Sequence, residues 1–371
     1  MKKLNDYIFE NRKDIPSPKT EYSWDGEMYI GTKALFYDVP VGNNIYKVFA
    51  YLSFPKVPKP KNGYPALLLI HGGNGCAFYE MANEWSEKGY IVIAPDFNGK
   101  YANDLNIRNL NNPIGGPKGY GSFNDMYDSN PWAYFSVLSA MRAIDVLTDL
   151  PCVDKNIIFA CGLSWGGFIN LLLASQEQRI RAFSVIYASA FISNSNWGML
   201  DNHCGKFNQQ ELLDYNQHID PQSYLNNIKT PILFTAGTDD IAFTMENRRK
   251  TSLMISSDKY WGYRFSYPHG NFYGFEQPES HLFFKQFIND RKWRCPNISI
   301  KDNIIKVDKH FIDSETFLVE TNMLPTNNDR LIWSERKFFN SVELLSDTKS
   351  FFIEEKIKNK YIISTDIYNN F

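Results

Sequence analysis

The chain of 371 residues is poor in cysteine, has no long apolar run and carries no surplus of either charge. Each shortage removes a class of protein. The five cysteines (Cys76, Cys152, Cys161, Cys204 and Cys295) are odd in number and scattered without CxxC spacing, which argues against a disulfide framework or a zinc site. No stretch approaches the roughly 20 apolar residues that a membrane-spanning helix needs. The first residues, with Lys2, Lys3, Asn5, Asp6, Glu10, Asn11 and Arg12, lack the apolar core of a secretory signal. Lysine and arginine number 39 against 41 acidic residues, well interspersed, so the electrostatic footprint of nucleic-acid binding is missing. Neither GxGxxG nor GxxxxGK[ST] occurs, which removes the common phosphate-binding loops. The absences together predict a soluble cytoplasmic protein with no nucleic acid or membrane as partner.

What is present is a rhythm of short apolar runs and helical stretches, with 28 phenylalanines and 22 tyrosines. Residues 1–30 are polar, broken at Pro16-Ser17-Pro18, and read as a lead-in. Thr32 to Val39 and Asn44 to Phe54, around Gly42-Asn43-Asn44, suggest an antiparallel hairpin. From Ala66 to about residue 290, buried strands (66–70, 90–94, 157–161, 182–187, 232–235, 263–267) alternate with helices (79–88, 131–150, 168–174, 246–256, 278–290). That alternation predicts a mostly parallel sheet with helices on both faces. Two stretches, 96–130 and 188–227, read as long loops leaving strand ends, the edge where open parallel sheets bind ligands. Residues 297–371 turn to short β-rich runs, a small all-β appendix. The expected division is therefore a lead-in (1–30), an α/β domain (31–291) and an all-β C-terminal domain (297–371).

The segment Gly162-Leu163-Ser164-Trp165-Gly166-Gly167 lies between an apolar strand and an apolar helix. A GxSxG serine in that setting sits on a strained turn, exposed at the top of the sheet, and becomes a candidate nucleophile. Such a serine needs a base and an orienting acid, which in this arrangement follow in the order serine, acid, histidine. His71, His203 and His218 come before any plausible acid, His310 lies in the β appendix, and His281 sits inside the closing helix. His269, in the loop Pro268-His269-Gly270-Asn271, remains. Strand 232–235 runs into Ala236-Gly237-Thr238-Asp239-Asp240, so the acid is Asp240, on a GxxD spacing, or its neighbour Asp239. The loop His71-Gly72-Gly73-Asn74-Gly75 follows the first strand of the parallel set and can offer a backbone N–H, from Gly73 or Asn74, opposite that of Trp165.

With these parts in place the chain resembles the α/β-hydrolases of the acetyl xylan esterase and cephalosporin-C deacetylase type, with prolyl-oligopeptidase-like relatives. The resemblance rests on Leu69–Gly73, Gly89–Asp96, Gly115-Gly116-Pro117-Lys118-Gly119-Tyr120-Gly121, Gly162–Gly167, Gly237–Asp240 and Tyr267–Gly270, and covers most of residues 30–290. It implies an α/β-hydrolase fold, with Ser164 as nucleophile, His269 as base, Asp240 as acid, and no cofactor or metal. Many relatives carry a second histidine where this chain has Asn271, and the tail around Trp333 looks like that of some members. The resemblance also implies that Tyr120, in the glycine-rich loop, and Trp197 rim the substrate pocket, a packed cover residue being the alternative for Trp197. The expected substrate is a short-acyl, acetyl-type ester, on a small molecule or an oligosaccharide. A peptidase or acylaminoacyl hydrolase is the alternative, and an inactive binding protein a further one. Only some 60 residues precede the sheet, too few for the propeller that accompanies oligopeptidases of this lineage.

Overall fold

The computed structural model describes residues 2–13, 15–22, 31–73, 75–99, 131–194, 207–270, 274, 278–289, 293, 295–308, 314–323, 331–357 and 361–369. The sheet is entered by an antiparallel ribbon, β1 (Thr20–Tyr22), β2 (Gly31–Val41) and β3 (Asn44–Phe54). The hairpin β2–β3 turns where Gly42 adopts a φ of 56°, which glycine tolerates without steric cost. β3 then lies antiparallel to β5 (Ile91–Pro95). From there the pairing is parallel through β4 (Tyr64–Ile70), β6 (Val153–Leu163), β7 (Ala182–Ile186), β8 (Ile232–Asp239) and β9 (Lys259–Pro268). The resulting order, β1-β2-β3-β5-β4-β6-β7-β8-β9, brings the carboxyl ends of β6, β8 and β9 to one edge.

β5 and β7 are buried at every position, as strands covered on both faces must be. One cover consists of α2 (Tyr79–Glu87) and α7 (Pro278–Asn289), which meet through the rings of Trp85 and Phe284. The other consists of α3 (Trp132–Asp149) and α4 (Trp165–Ala174), which meet through Trp132 and Trp165. α3 is buried almost all round because the lead-in folds back on it as α1 (Leu4–Arg12). The Tyr7 ring packs on Tyr134, and Arg12 grips Asp145 with two hydrogen bonds of 3.0 and 3.1 Å.

The stretch 188–227, read from sequence as irregular, contains α5 (Gln209–His218). Its start is fixed by a capping box: the Asn208 side chain accepts from the Glu211 amide, while Glu211 reaches back to the Asn208 amide. The weak apolar period of QQELLDYNQH concealed this helix, of which only Tyr215 is buried. β8 and β9 also run longer than the apolar runs at their centres, and the next helix, α6 (Met245–Met254), is capped by Thr244.

The C-terminal strands are β10 (Asn297–Lys301), β11 (Ile304–Asp308), β12 (Ser314–Thr321), β13 (Ser334–Phe338), β14 (Ser341–Glu343), β15 (Ser350–Ile357), β16 (Tyr361–Ser364) and β17 (Tyr368–Asn369). β16 pairs antiparallel with β9, so β16, β15, β12 and β13 extend the central sheet, while β10, β11 and β14 form a second, three-stranded sheet. The two-residue period of β15 serves both sides: Phe351 and Ile353 pack in the small core with Ile305 and Val307, and Phe352 packs in the main core with Trp333. Contact with β9 relies on side chains as much as on strand pairing. Ser364 Oγ accepts the Tyr263 amide and Glu354 accepts the Phe265 amide, both at 2.9 Å.

Candidate active site

Ser164 is the single residue between the end of β6 and the start of α4, at φ 56° and ψ −123°. An L residue held there stores about 1–3 kcal/mol of strain. The glycines explain how the chain maintains it. A Cβ on Gly162 would lie 2.3 Å from the Gly166 carbonyl oxygen, and one on Gly166 would lie 2.3 Å from that of Ile70. One on Gly167 would meet the Ala188 Cβ at 2.6 Å. Each glycine thus marks a contact of β6 or α4 with the chain beside it. The Ser164 amide donates to the Ile186 carbonyl at 2.9 Å, which pins the turn to the end of β7. Helix α4 starts at the next residue, so its positive end faces the serine.

Ser164 Oγ lies 2.9 Å from His269 Nε2, and His269 Nδ1 lies 3.1 Å from Asp240 Oδ2. The three residues come from the ends of three parallel strands, β6, β8 and β9, in the order the sequence suggested. Asp239 points elsewhere: its carboxylate accepts from Thr238 Oγ1 at 3.3 Å and from Ser266 Oγ at 3.2 Å. The separation of the two aspartates arises at an irregularity where Gly237 pairs with Arg264 but Asp239 with Pro268. There Ser266 takes a φ of 51°, its amide donating to Thr238 Oγ1 at 2.9 Å, and β9 kinks just before His269.

Asp240 is fully buried and its oxygens are fully used. Oδ1 accepts the amides of Ala242 and Phe243 at 2.8 and 3.0 Å, and Oδ2 is shared by His269 and the Arg248 guanidinium. Burial opposes its ionisation, yet the Arg248 charge, His269 and the Phe243 amide together hold its carboxyl below the ordinary range. The imidazole of His269 lies between two rings. Tyr187 approaches it at 4.3 Å between centroids and Phe243 at 5.9 Å. The Tyr187 hydroxyl donates to the Gly270 carbonyl at 3.1 Å, tying the histidine loop to β7. Burial raises the Tyr187 hydroxyl well above its usual range, so it stays a donor.

The His71 loop runs beside the serine: a Cβ on Gly72 would touch the Ser164 Cβ at 3.3 Å. His71 shapes this loop. Its Nδ1 donates to the Gly72 carbonyl at 2.7 Å while its Nε2 accepts the Phe97 amide at 2.9 Å, which binds the end of β4 to the end of β5. Gly73 follows in the same loop, and Trp165 opens α4 with its ring packed on Phe168 and Phe243. Asn74, Tyr120 and Trp197 lie outside the described residues. His281, set aside as a helix-face residue, packs in α7 against Trp85 and Tyr90, and burial pushes its imidazole down to about 4.

Neither Tyr187 nor Arg248 stands out in the sequence as a site residue. Tyr187 could have been suspected, since it directly follows β7 at the same sheet edge. Arg248 carried no signal, because Arg248-Arg249-Lys250 reads as an ordinary solvated helix face. Among the described residues no group of three or more His, Cys, Asp or Glu side chains is arranged to hold a metal ion. No described helix is long and apolar enough to cross a membrane.

Residues 49–293 match the profile of the dienelactone hydrolase family. The chain belongs to that family. Among curated relatives, this dienelactone hydrolase family member is similar to acetyl esterase Axe7A of Xylanibacter ruminicola, 23% identical over 239 residues that cover 58% of this chain and 53% of that protein. It is also similar to the probable dipeptidyl-peptidase 5 of Emericella nidulans, 27% identical over 167 residues that cover 43% of this chain and 21% of that protein. The chain thus spans about half the length of one curated relative and about a fifth of the other. Among solved structures, the acetyl xylan esterase from Paenibacillus sp. R4 superposes with a TM-score of 0.61 at 16% identity, over 78% of this chain and 93% of that one. At that identity the likeness establishes the α/β-hydrolase fold.

Proposed function

We propose that the protein is a serine hydrolase that cleaves short-chain acyl esters, acetyl esters on a carbohydrate being the favoured class, through an acyl-enzyme. The observation that carries this reading is the continuous set of contacts from Ser164 Oγ through His269 to Asp240, built around a serine in a strained conformation. Ser164 Oγ attacks the ester carbonyl carbon as its proton passes to His269 Nε2. Asp240 accepts from Nδ1 and stabilises the imidazolium. The tetrahedral intermediate, its oxyanion facing the amides of Trp165 and Gly73, expels the alcohol, which takes the proton from His269. Water then repeats the sequence on the acyl-enzyme and releases the acid. The likeness to two acetyl esterases favours the acetyl group and the carbohydrate setting.

A peptidase or acylaminoacyl hydrolase is the second reading, favoured by the similarity to a dipeptidyl-peptidase over 167 residues. A panel of p-nitrophenyl esters of graded acyl length, acetylated oligosaccharides and aminoacyl anilides, read against Ser164→Ala, separates the two. Ester turnover that falls at least about 10³-fold in Ser164→Ala supports the proposal. Near wild-type turnover in that variant refutes it, and anilides cleaved faster than acetyl esters transfer the assignment to the second reading.

A further inference from the structure

The geometry points to Arg248 as the positioning residue that keeps Asp240 charged and aimed at His269. This rests on the proposed roles of Ser164, His269 and Asp240. Arg248 lies in α6, fully buried, and its Nη2 forms an ion pair with Asp240 Oδ2. Its Nη1 donates to Met245 Sδ at 3.4 Å, and Nε has no hydrogen-bond partner among the described residues. A guanidinium so held is a poor general stabiliser, since replacing a buried ion pair by apolar groups is often neutral or better. What distinguishes it is the partner.

Asp240 has no exposed surface on its side chain, and two backbone amides occupy its Oδ1. Before proton transfer the imidazole brings no charge, so the negative charge of a buried carboxylate must be met from elsewhere. Arg248 meets it. Among the described residues, the neighbouring titratable groups do not: Tyr187, at the end of β7, and Tyr263, on β9, are both held protonated by burial. Asp366, which faces Tyr263 from the C-terminal strands, is engaged by Ser252 and the Ile367 amide. Once His269 has taken the serine proton, the same arginine limits how tightly Asp240 holds the imidazolium, which eases return of the proton to the leaving group. Without Arg248 the acid–base pair takes up a proton at higher pH, and the fraction of enzyme with a free base falls.

The test is the pH dependence of kcat and kcat/KM for p-nitrophenyl acetate in wild type, Arg248→Gln and Arg248→Lys, with fluorophosphonate labelling of Ser164 and Ser164→Ala as the blank. In Arg248→Gln the acid limb of kcat/KM moves up by about one pH unit and kcat falls about tenfold, with KM within about twofold. Arg248→Lys returns the limb to its wild-type position while kcat recovers only in part, because an ammonium replaces the charge but not the fork. An unmoved limb in folded Arg248→Gln, or an equal shift in both variants, overturns the role. If Arg248→Gln does not fold, Arg248→Lys decides alone: a wild-type limb with reduced kcat supports the role, and a displaced limb or undiminished kcat overturns it. A wild-type protein that neither turns over the ester nor labels at Ser164 refutes the hydrolase reading, and this role with it. An active, labelled wild type whose variants keep its pH profile refutes only the role of Arg248.

Discussion

Gly237→Ala tests the link between backbone packing and the acid–base pair. Gly237 lies in β8 three residues before Asp240, facing the end of β9 two residues before His269. A Cβ there would sit 1.8 Å from the Tyr267 carbonyl oxygen and 2.4 Å from the Tyr267 Cβ. Ordinary van der Waals contact begins at 3.4 Å, so the strands must part by the difference, about 1.6 Å. Neither neighbour is the far end of a flexible side chain, so the backbone itself has to move. Taken up along the His269–Asp240 direction, that movement stretches the 3.1 Å contact beyond hydrogen-bond reach. The expected cost is about 1–3 kcal/mol of overpacking in stability and about 10² in kcat/KM, the usual penalty for a misplacement near 1 Å. Urea unfolding, far-ultraviolet circular dichroism and ester kinetics on the same preparation measure both terms. A folded Gly237→Ala protein that keeps more than about a third of wild-type kcat/KM would refute the reasoning, because the glycine would then not be what lets acid and base meet.

Two further perturbations address the residues around this pair. Tyr187→Phe keeps the ring beside the imidazole and removes the hydroxyl that donates to the Gly270 carbonyl, so kcat should drop about fivefold, the equivalent of about 1 kcal/mol, with KM little changed; steady-state kinetics with the wild-type kcat would contradict it. Glu354, which accepts the Phe265 amide of β9, is pushed by burial, against the pull of Lys356, from its ordinary 4.5 up to about 7. The folded protein therefore keeps a proton over that interval that the unfolded chain has released. The associated stability is complete below pH 4.5 and is lost as pH rises through about 7, by up to about 3 kcal/mol. Glu354→Gln abolishes this titration, so urea midpoints of wild type should fall relative to the variant between pH 5 and pH 8; a constant difference across that range would exclude the effect.

Much of the site was legible in the chain because its parts follow local rules. Gly162, Gly166 and Gly167 mark a strand-to-helix turn, and the order of serine, acid and histidine follows from the order of the strands that bear them. The GxxD spacing points to Asp240 and leaves Asp239 as the alternative, but what separates the two carboxylates is not local. Asp239 is the last residue of β8 and Asp240 the first beyond it, and which one meets the histidine depends on the irregular pairing of β8 with β9 after Gly237. The helix α5 was missed for a different reason: its residues are mostly exposed, so the apolar period that betrays a helix is weak, although Asn208 and Glu211 spelled its cap.

The sequence by itself determined the fold class, through alternation of buried strands and helices, and singled out Ser164 and His269 as candidates, through turn chemistry and chain order. Only the tertiary structure decided what surrounds them. Arg248 reads as one of three consecutive basic residues until α6 packs its side chain against Asp240, and Tyr187 reads as the end of a strand until its ring lies beside His269. Likewise the C-terminal strands form an all-β unit by pattern, but their place at the edge of β9, where Ser364 and Glu354 receive amides of the strand that leads to His269, comes from contacts between residues about 100 positions apart. Local sequence sets backbone conformation within a turn or a strand. Contacts between segments that distant are fixed only when the whole chain packs.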